Sequence, residues 1–224
     1  MPKTIPEYEA LVAGHLQDGA QKLASAEVVK AIEEAIAGRY SKDRPRKLVT
    51  DLTGDGATYE WSLAGVSGWQ EGFSRVVEIE YPQGERSPVY LEGGEWLLYA
   101  SPAGRFLRFA FALSTGKAAR VRFTAAHAVD ASTVPDTDFY AVGALAASLA
   151  ARRLAALHAQ TGDSSIAADT VNYRTKSQEY MALARQLEKQ YENLLGTDPE
   201  RSAPASSLTE AWQGRTAGGE RLTH

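Results

Sequence analysis

The hydrophobic period of this chain changes twice, near residue 46 and near residue 135, and that double switch constrains the fold more than any single motif. Residues 1–45 repeat at the helical spacing, residues 46–130 at the strand spacing, and residues 131–196 at the helical spacing again. Short helices are marginal in water without a packed apolar face, so neither helical stretch can stand alone. The pattern predicts an α+β fold. An N-terminal helical region (1–45) and a C-terminal helical hairpin (131–196) pack together as one bundle, an antiparallel β-rich module (46–130) is inserted between them, and a disordered tail (197–224) follows.

Thr4-Ile5-Pro6-Glu7 has the form of a capping box, which satisfies orphan backbone donors at a helix start. Tyr8, Leu11, Val12, His15 and Leu16 then lie on one helical stripe that ends at Asp18-Gly19. A second helix starts near Ser25, carries Val28, Val29, Ile32, Ile36 and Tyr40 on one side, and is bracketed at its end by Gly38 and Pro45. Strands are predicted at 47–52, 59–63, 76–81, 89–91, 96–100, 106–113 and 119–125. Asp55-Gly56, Gly93-Gly94 and Thr115-Gly116 read as tight hairpin turns between them. An alanine-rich helix runs from Asp136 or Thr137 to Gln160, its small residues allowing close helix approach. After a loop at 161–169, a final helix carries Tyr173, Tyr180, Leu183, Leu187, Tyr191 and Leu194, and Gly196 stops it.

Charge and motifs exclude more than they assign. Lys plus Arg is 24 against 28 for Asp plus Glu, and each of the four segments is a single negative charge from neutral, so there is no polybasic arm or acidic tail. A dedicated DNA reader would carry a basic excess. With no cysteine there is no disulfide scaffold, thiolate zinc site or thiol catalysis. Glu7 and Glu9 interrupt any signal-peptide core, and the longest apolar run, Phe139 to Ala151, is about 13 residues against the roughly 20 that cross a bilayer, so a soluble protein is expected. Asp51-Leu52-Thr53-Gly54-Asp55-Gly56 resembles the start of a calcium loop, but Ser62 stands where the bidentate Glu belongs, which favours a polar turn. The four histidines, His15, His127, His158 and His224, are scattered and read as solitary structural or surface groups. No phosphate loop or nucleophile elbow occurs. No cofactor, metal or catalytic residue is expected.

Arg39, Lys42, Arg44, Arg46 and Lys47 form the densest basic cluster, suited to phosphate or an acidic partner, or simply a solvated helix exit. Trp61, Trp69 and Trp96 either line a ligand groove, as in a small-ligand or carbohydrate-binding module, or pack in the β core. A hydrolase with dispersed catalytic residues is a further alternative and needs a carboxylate or histidine cluster in a pocket. The tail has one apolar cluster, Leu208 to Trp212, in which those two residues share a face if the segment turns helical.

Three segments carry a family resemblance. They are Glu33 to Ile36 with Arg39-Tyr40-Ser41-Lys42-Asp43-Arg44-Pro45, then Asp138-Phe139-Tyr140-Ala141-Val142, then Ala159 to Ile166 leading into Val171-Asn172-Tyr173-Arg174-Thr175-Lys176-Ser177. Together they resemble the head–tail adaptor (connector) proteins of tailed bacteriophages, over roughly residues 25 to 195. The resemblance implies a structural, non-enzymatic virion protein, assembled in the host cytoplasm and sited in the neck. It implies a homo-oligomeric ring, commonly of twelve copies, seated under the portal protein and surrounding the channel through which DNA is packaged and ejected. Further implied partners are the portal and a downstream neck or tail completion protein, with no membrane. A related neck or tail completion protein is the alternative within that class. The tail is then expected to dock on the portal through Leu208 and Trp212, and the basic cluster to face the ring, the channel or a partner.

Overall fold

The computed structural model describes residues 2–102, 104–160 and 173–196. Helix α1 (Ile5–Leu16) starts as its capping box predicts, with the Thr4 N–H donating to Glu7 Oε2 at 2.8 Å. Tyr8, Val12 and Leu16 recur every four residues on its buried face. A 3-10 turn, Gln17–Lys22, leads to α2 (Ser25–Glu34), which widens into a π-helical turn, Ala35–Tyr40, and closes in a short last turn, α3 (Ser41–Asp43). Ser41 marks that widening, because its hydroxyl donates to the Ile36 carbonyl five residues back at 2.7 Å.

Six strands follow: β1 (Arg46–Thr53), β2 (Glu60–Ser62), β3 (Val76–Glu80), β4 (Trp96–Ser101), β5 (Gly104–Phe109) and β6 (Ala118–Ala125). They form two three-stranded antiparallel sheets, ordered β1-β6-β3 and β2-β5-β4. Strand β6 shows the cause of the layering. Ala119, Val121, Phe123 and Ala125 are buried on one face while Arg120 and Arg122 point outward, where they pair with Asp51 and Glu78. Leu52, Ile79, Leu107, Phe109, Leu113 and Val121 form a core shared by the two sheets. Each side chain buried this way contributes roughly 1.5–3 kcal/mol relative to exposure.

The topology corrects the expected hairpins. Asp55-Gly56 and Thr115-Gly116 each lie where the chain leaves one sheet for the other, and Gly93-Gly94 follows the single bridge Glu80↔Tyr90 on the way to β4. The tight local hairpin is β4–β5, with Ser101 opposite Gly104, whose φ of +115° suits glycine. Strand β5 also stops at Phe109, short of the expected 113: the Ala110 N–H still bonds the Glu95 carbonyl in register with β4, and the chain then crosses to the other sheet.

The chain returns through a loop and a 3-10 turn, Asp136–Asp138, to α4 (Phe139–Gln160) and then α5 (Tyr173–Leu195), with Gly196 at φ +61° after the last turn. Helix α4 is the centre of the helical core, touching α1, α2 and α5. Its alanines, among them Ala144, Ala146, Ala147, Ala150 and Ala151, are buried inside the subunit, so the close helix approach they allow is to the subunit's own helices and not, as a ring of the resembled kind would have it, to neighbouring copies. The span Asp136–Ala159 is long and apolar enough to cross a membrane, yet 67% of it is buried in the protein, as befits a core helix. The loop at 161–169 and the tail at 197–224 lie outside the described residues.

Candidate functional site

The basic cluster sits where α3 runs into β1, and the fold surrounds two of its members with acids. Glu188 and Glu192 stand one turn apart on α5 and face Arg39, whose guanidinium reaches each at 2.6 Å and also approaches Asp43 at 3.4 Å. The same guanidinium lies over the Tyr191 ring, 5.0 Å from its centroid. Hydrogen bonding to Glu192, opposed by partial burial, holds Arg39 above its already high basicity. The Tyr191 hydroxyl donates to Asp43 at 2.7 Å, and burial, then this bond, pushes its ionisation far upward. Arg44 donates to the Leu195 carbonyl and so closes the last turn of α5. At 36% exposure the Arg39 pairs contribute modestly, on the order of 1 kcal/mol or less each. Their geometric effect is larger: the end of α5 is fixed on the α2–α3 corner, and the chain beyond Gly196 leaves from a set point.

A second network joins this corner to the loop that returns from β6. The Tyr40 hydroxyl donates to Asp138 at 2.8 Å, with Arg44 3.9 Å from the same carboxylate. Ser41 Oγ, donating to Ile36, also accepts the His127 N–H at 2.9 Å. The His127 ring, 7% exposed, places Nε2 at 2.8 Å from the Arg44 carbonyl and Nδ1 at 2.9 Å from the Thr133 carbonyl and 3.2 Å from Thr133 Oγ1. A neutral ring carries a single N–H and so donates to only one of these two carbonyls. Burial lowers the His127 pKa, against the backbone hydrogen bonds that would raise it. The histidine read as solitary is thus the tie between the two chain crossings.

Arg46 and Lys47 are half-buried at the start of β1, while Lys42 is exposed. Lys42 stands on the rim of a groove of about 340 Å³ between the π-helical turn, α4 and α5. Ala35, Gly38, Leu145, Ser148 and Leu149 line it, with Arg152 and Glu188 at its edge. A Cβ at Gly38 would meet nothing within 4 Å. Leu208 and Trp212 lie outside the described residues. The acids that engage the basic cluster escaped the sequence reading, although two i,i+4 pairs signalled them: Arg39 with Asp43, and Glu188 with Glu192.

Trp61, Trp69 and Trp96 pack against the β core, Trp61 edge-on to Phe109 at 5.2 Å and Trp69 tilted on Phe123 at 5.5 Å. Asp55 accepts from Ala57, from the Thr58 N–H and from the Thr58 hydroxyl, and these bonds pull its pKa to about 2. Asp51 is bound to Arg120 at 2.9 Å. Both carboxylates of the calcium-like segment therefore have local partners. Among the described residues no group of three His, Asp or Glu side chains is placed to hold a metal ion.

No family model matches the chain, and no curated protein matches it. Two solved structures are similar to it in part. A chain from the neck of an empty GTA particle, computed with C6 symmetry, shares 16% identity over 70% of this chain and 79% of its own, with a TM-score of 0.28. A chain from the neck of a native GTA particle, computed with C12 symmetry, shares 19% identity over 80% of this chain and 94% of its own, with a TM-score of 0.27. TM-scores of this size fall short of a shared fold.

Proposed function

We propose that the chain is a structural component of the neck of a tailed bacteriophage particle, a head–tail adaptor that forms a ring beneath the portal around the DNA channel. In this reading the tail from Thr197 docks on the portal with Leu208 and Trp212 as its apolar anchors, and a downstream neck or tail completion protein takes the opposite side. Its role is assembly and passage of DNA, without catalysis.

The observation that carries the reading is the meeting of two segments that bear the adaptor resemblance. Arg39 to Pro45 and Asp138 to Val142 lie nearly a hundred residues apart in sequence, and the Tyr40–Asp138 hydrogen bond joins them. The corner they build also holds the end of α5, so an arm starting at Gly196 is presented from a fixed position. A chain near neutral in every segment also suits a channel, because dense Lys and Arg would retain DNA through counterion release. With Arg39 and Arg44 engaged inside the subunit, the exposed Lys42 is the member of the cluster best placed to face a neighbour or the channel.

The test is native mass measurement of the protein alone and mixed with a portal ring, for the full chain and for a chain ending at Gly196. A closed multimer that binds the portal, with binding lost on truncation, is the expected result. A protein that stays monomeric and ignores the portal would overturn the adaptor reading, and a truncated chain that binds undiminished would overturn the tail's part in it.

A further inference from the structure

We propose that the groove between the π-helical turn, α4 and α5 is the seat of the chain's own tail segment Leu208 to Trp212 when no assembly partner holds it. The inference rests on the reading of the tail as an arm with those two residues as apolar anchors. Three features of the groove argue for it. Its volume of about 340 Å³ is at the lower end of the roughly 300–1,000 Å³ of pockets that enclose ligands, suited to one aromatic side chain and a neighbour. Its wall is apolar at Ala35, Leu145 and Leu149, and the π-helical turn leaves open space over Gly38. At its floor Ser148, fully buried, has a hydroxyl with no hydrogen-bond partner among the described residues. That oxygen has no accessible surface while the groove is empty, and an indole N–H that opens the floor would supply its donor, which an aliphatic occupant could not.

Reach selects the occupant. Glu188 at the groove edge lies eight residues before Gly196, which is about 12 Å back along α5. The tail has eleven residues between Gly196 and Leu208, enough to span about 36 Å extended, three times what the return needs. A tether of that length presents its end at millimolar effective concentration, well above that of a second copy in dilute solution. Leu208 and Trp212, one helical turn apart, then enter side by side, and Glu210 between them faces outward toward the rim where Lys42 is exposed.

The chain has no cysteine, so a single engineered pair reports the contact. In the full chain, Lys42→Cys with Ala211→Cys is compared with Lys117→Cys and Ala211→Cys, where Lys117 is exposed on the β module. The groove pair is expected to form its disulfide at least ten times faster than the control pair, within one chain. Gly38→Leu, whose Cβ would meet nothing within 4 Å and whose side chain would occupy the groove, and Trp212→Ala should each bring the rate down to the control, with the thermal midpoint of Gly38→Leu showing that its fold is kept. Equal rates for the two pairs, or a disulfide that links two copies, would overturn the proposal. Portal binding by Trp212→Ala, measured separately, keeps the two readings apart. Loss of portal binding with no groove disulfide removes this inference alone, and a groove disulfide with undiminished portal binding removes the docking role alone.

Discussion

Ser41→Ala removes one oxygen from the point where the π-helical turn meets the loop returning from β6. Ser41 is fully buried and its hydroxyl makes two bonds, donating to Ile36 at 2.7 Å and accepting from the His127 N–H at 2.9 Å. The Ile36 carbonyl keeps the Ser41 N–H as a second partner, so its loss is tolerable. The His127 N–H is left in a buried place with no acceptor, and an orphaned donor of that kind costs about 1–3 kcal/mol. Taking about 2 kcal/mol, and the 2–4 °C per kcal/mol usual for a domain of this size, the midpoint should fall by about 4–8 °C. Urea denaturation and calorimetry measure it. Ser132→Ala is the matched control, since that hydroxyl bonds Asp130 at 2.6 Å on an exposed loop and should change stability by less than about 0.5 kcal/mol. Equal effects of the two substitutions would refute the argument from buried satisfaction.

Acid should weaken the fold from about pH 6.5 downward. Burial depresses His127 and His15 below the ordinary 6.5, so the unfolded chain takes up protons first. The stability these groups lend is whole above pH 6.5 and is lost as pH falls toward their folded values. The urea midpoint should drop between pH 7.5 and 5.5, less steeply in His127→Asn, and a flat profile would contradict this. Gly54→Ala should destabilise by at least about 2 kcal/mol, because its Cβ would stand 2.4 Å from the Leu113 carbonyl oxygen, which is backbone and cannot swing away. Unfolding of the variant at the wild-type urea midpoint would show the contact to be relieved elsewhere.

The element types were legible in the sequence because each rests on local spacing. Thr4 to Glu7 announced the first cap, and Gly196 the last stop. Pairing was not legible. Asp55-Gly56 has the composition of a hairpin turn, but whether the strands beside it pair is decided by β6, which arrives sixty residues later and takes the place next to β1. The same holds for the basic cluster. Arg39 is read from sequence as a cation at a helix exit, and its partners Glu188 and Glu192 are about 150 residues away. The π-helical turn left no visible signal beyond Gly38, and the role of His127 depends on a serine 86 residues earlier in the chain. On α4 the alanines signalled close approach correctly, while the partner turned out to be the subunit's own helices.

The pairing of Arg46 with Ala125 has a consequence for how this chain can vary. The strand that enters the β module and the strand that leaves it are neighbours from their first residue, so the helical body meets the module at two points about 5 Å apart. From the side of the helices, everything between those points has the dimensions of a tight turn. Lengthening, shortening or reshaping the loops at the far end of the sheets leaves α2, α3 and α4 where they are, because no distance across the helical body depends on the module's size. A ring built on the helical body could therefore keep its diameter while the sheets presented to its surroundings change freely.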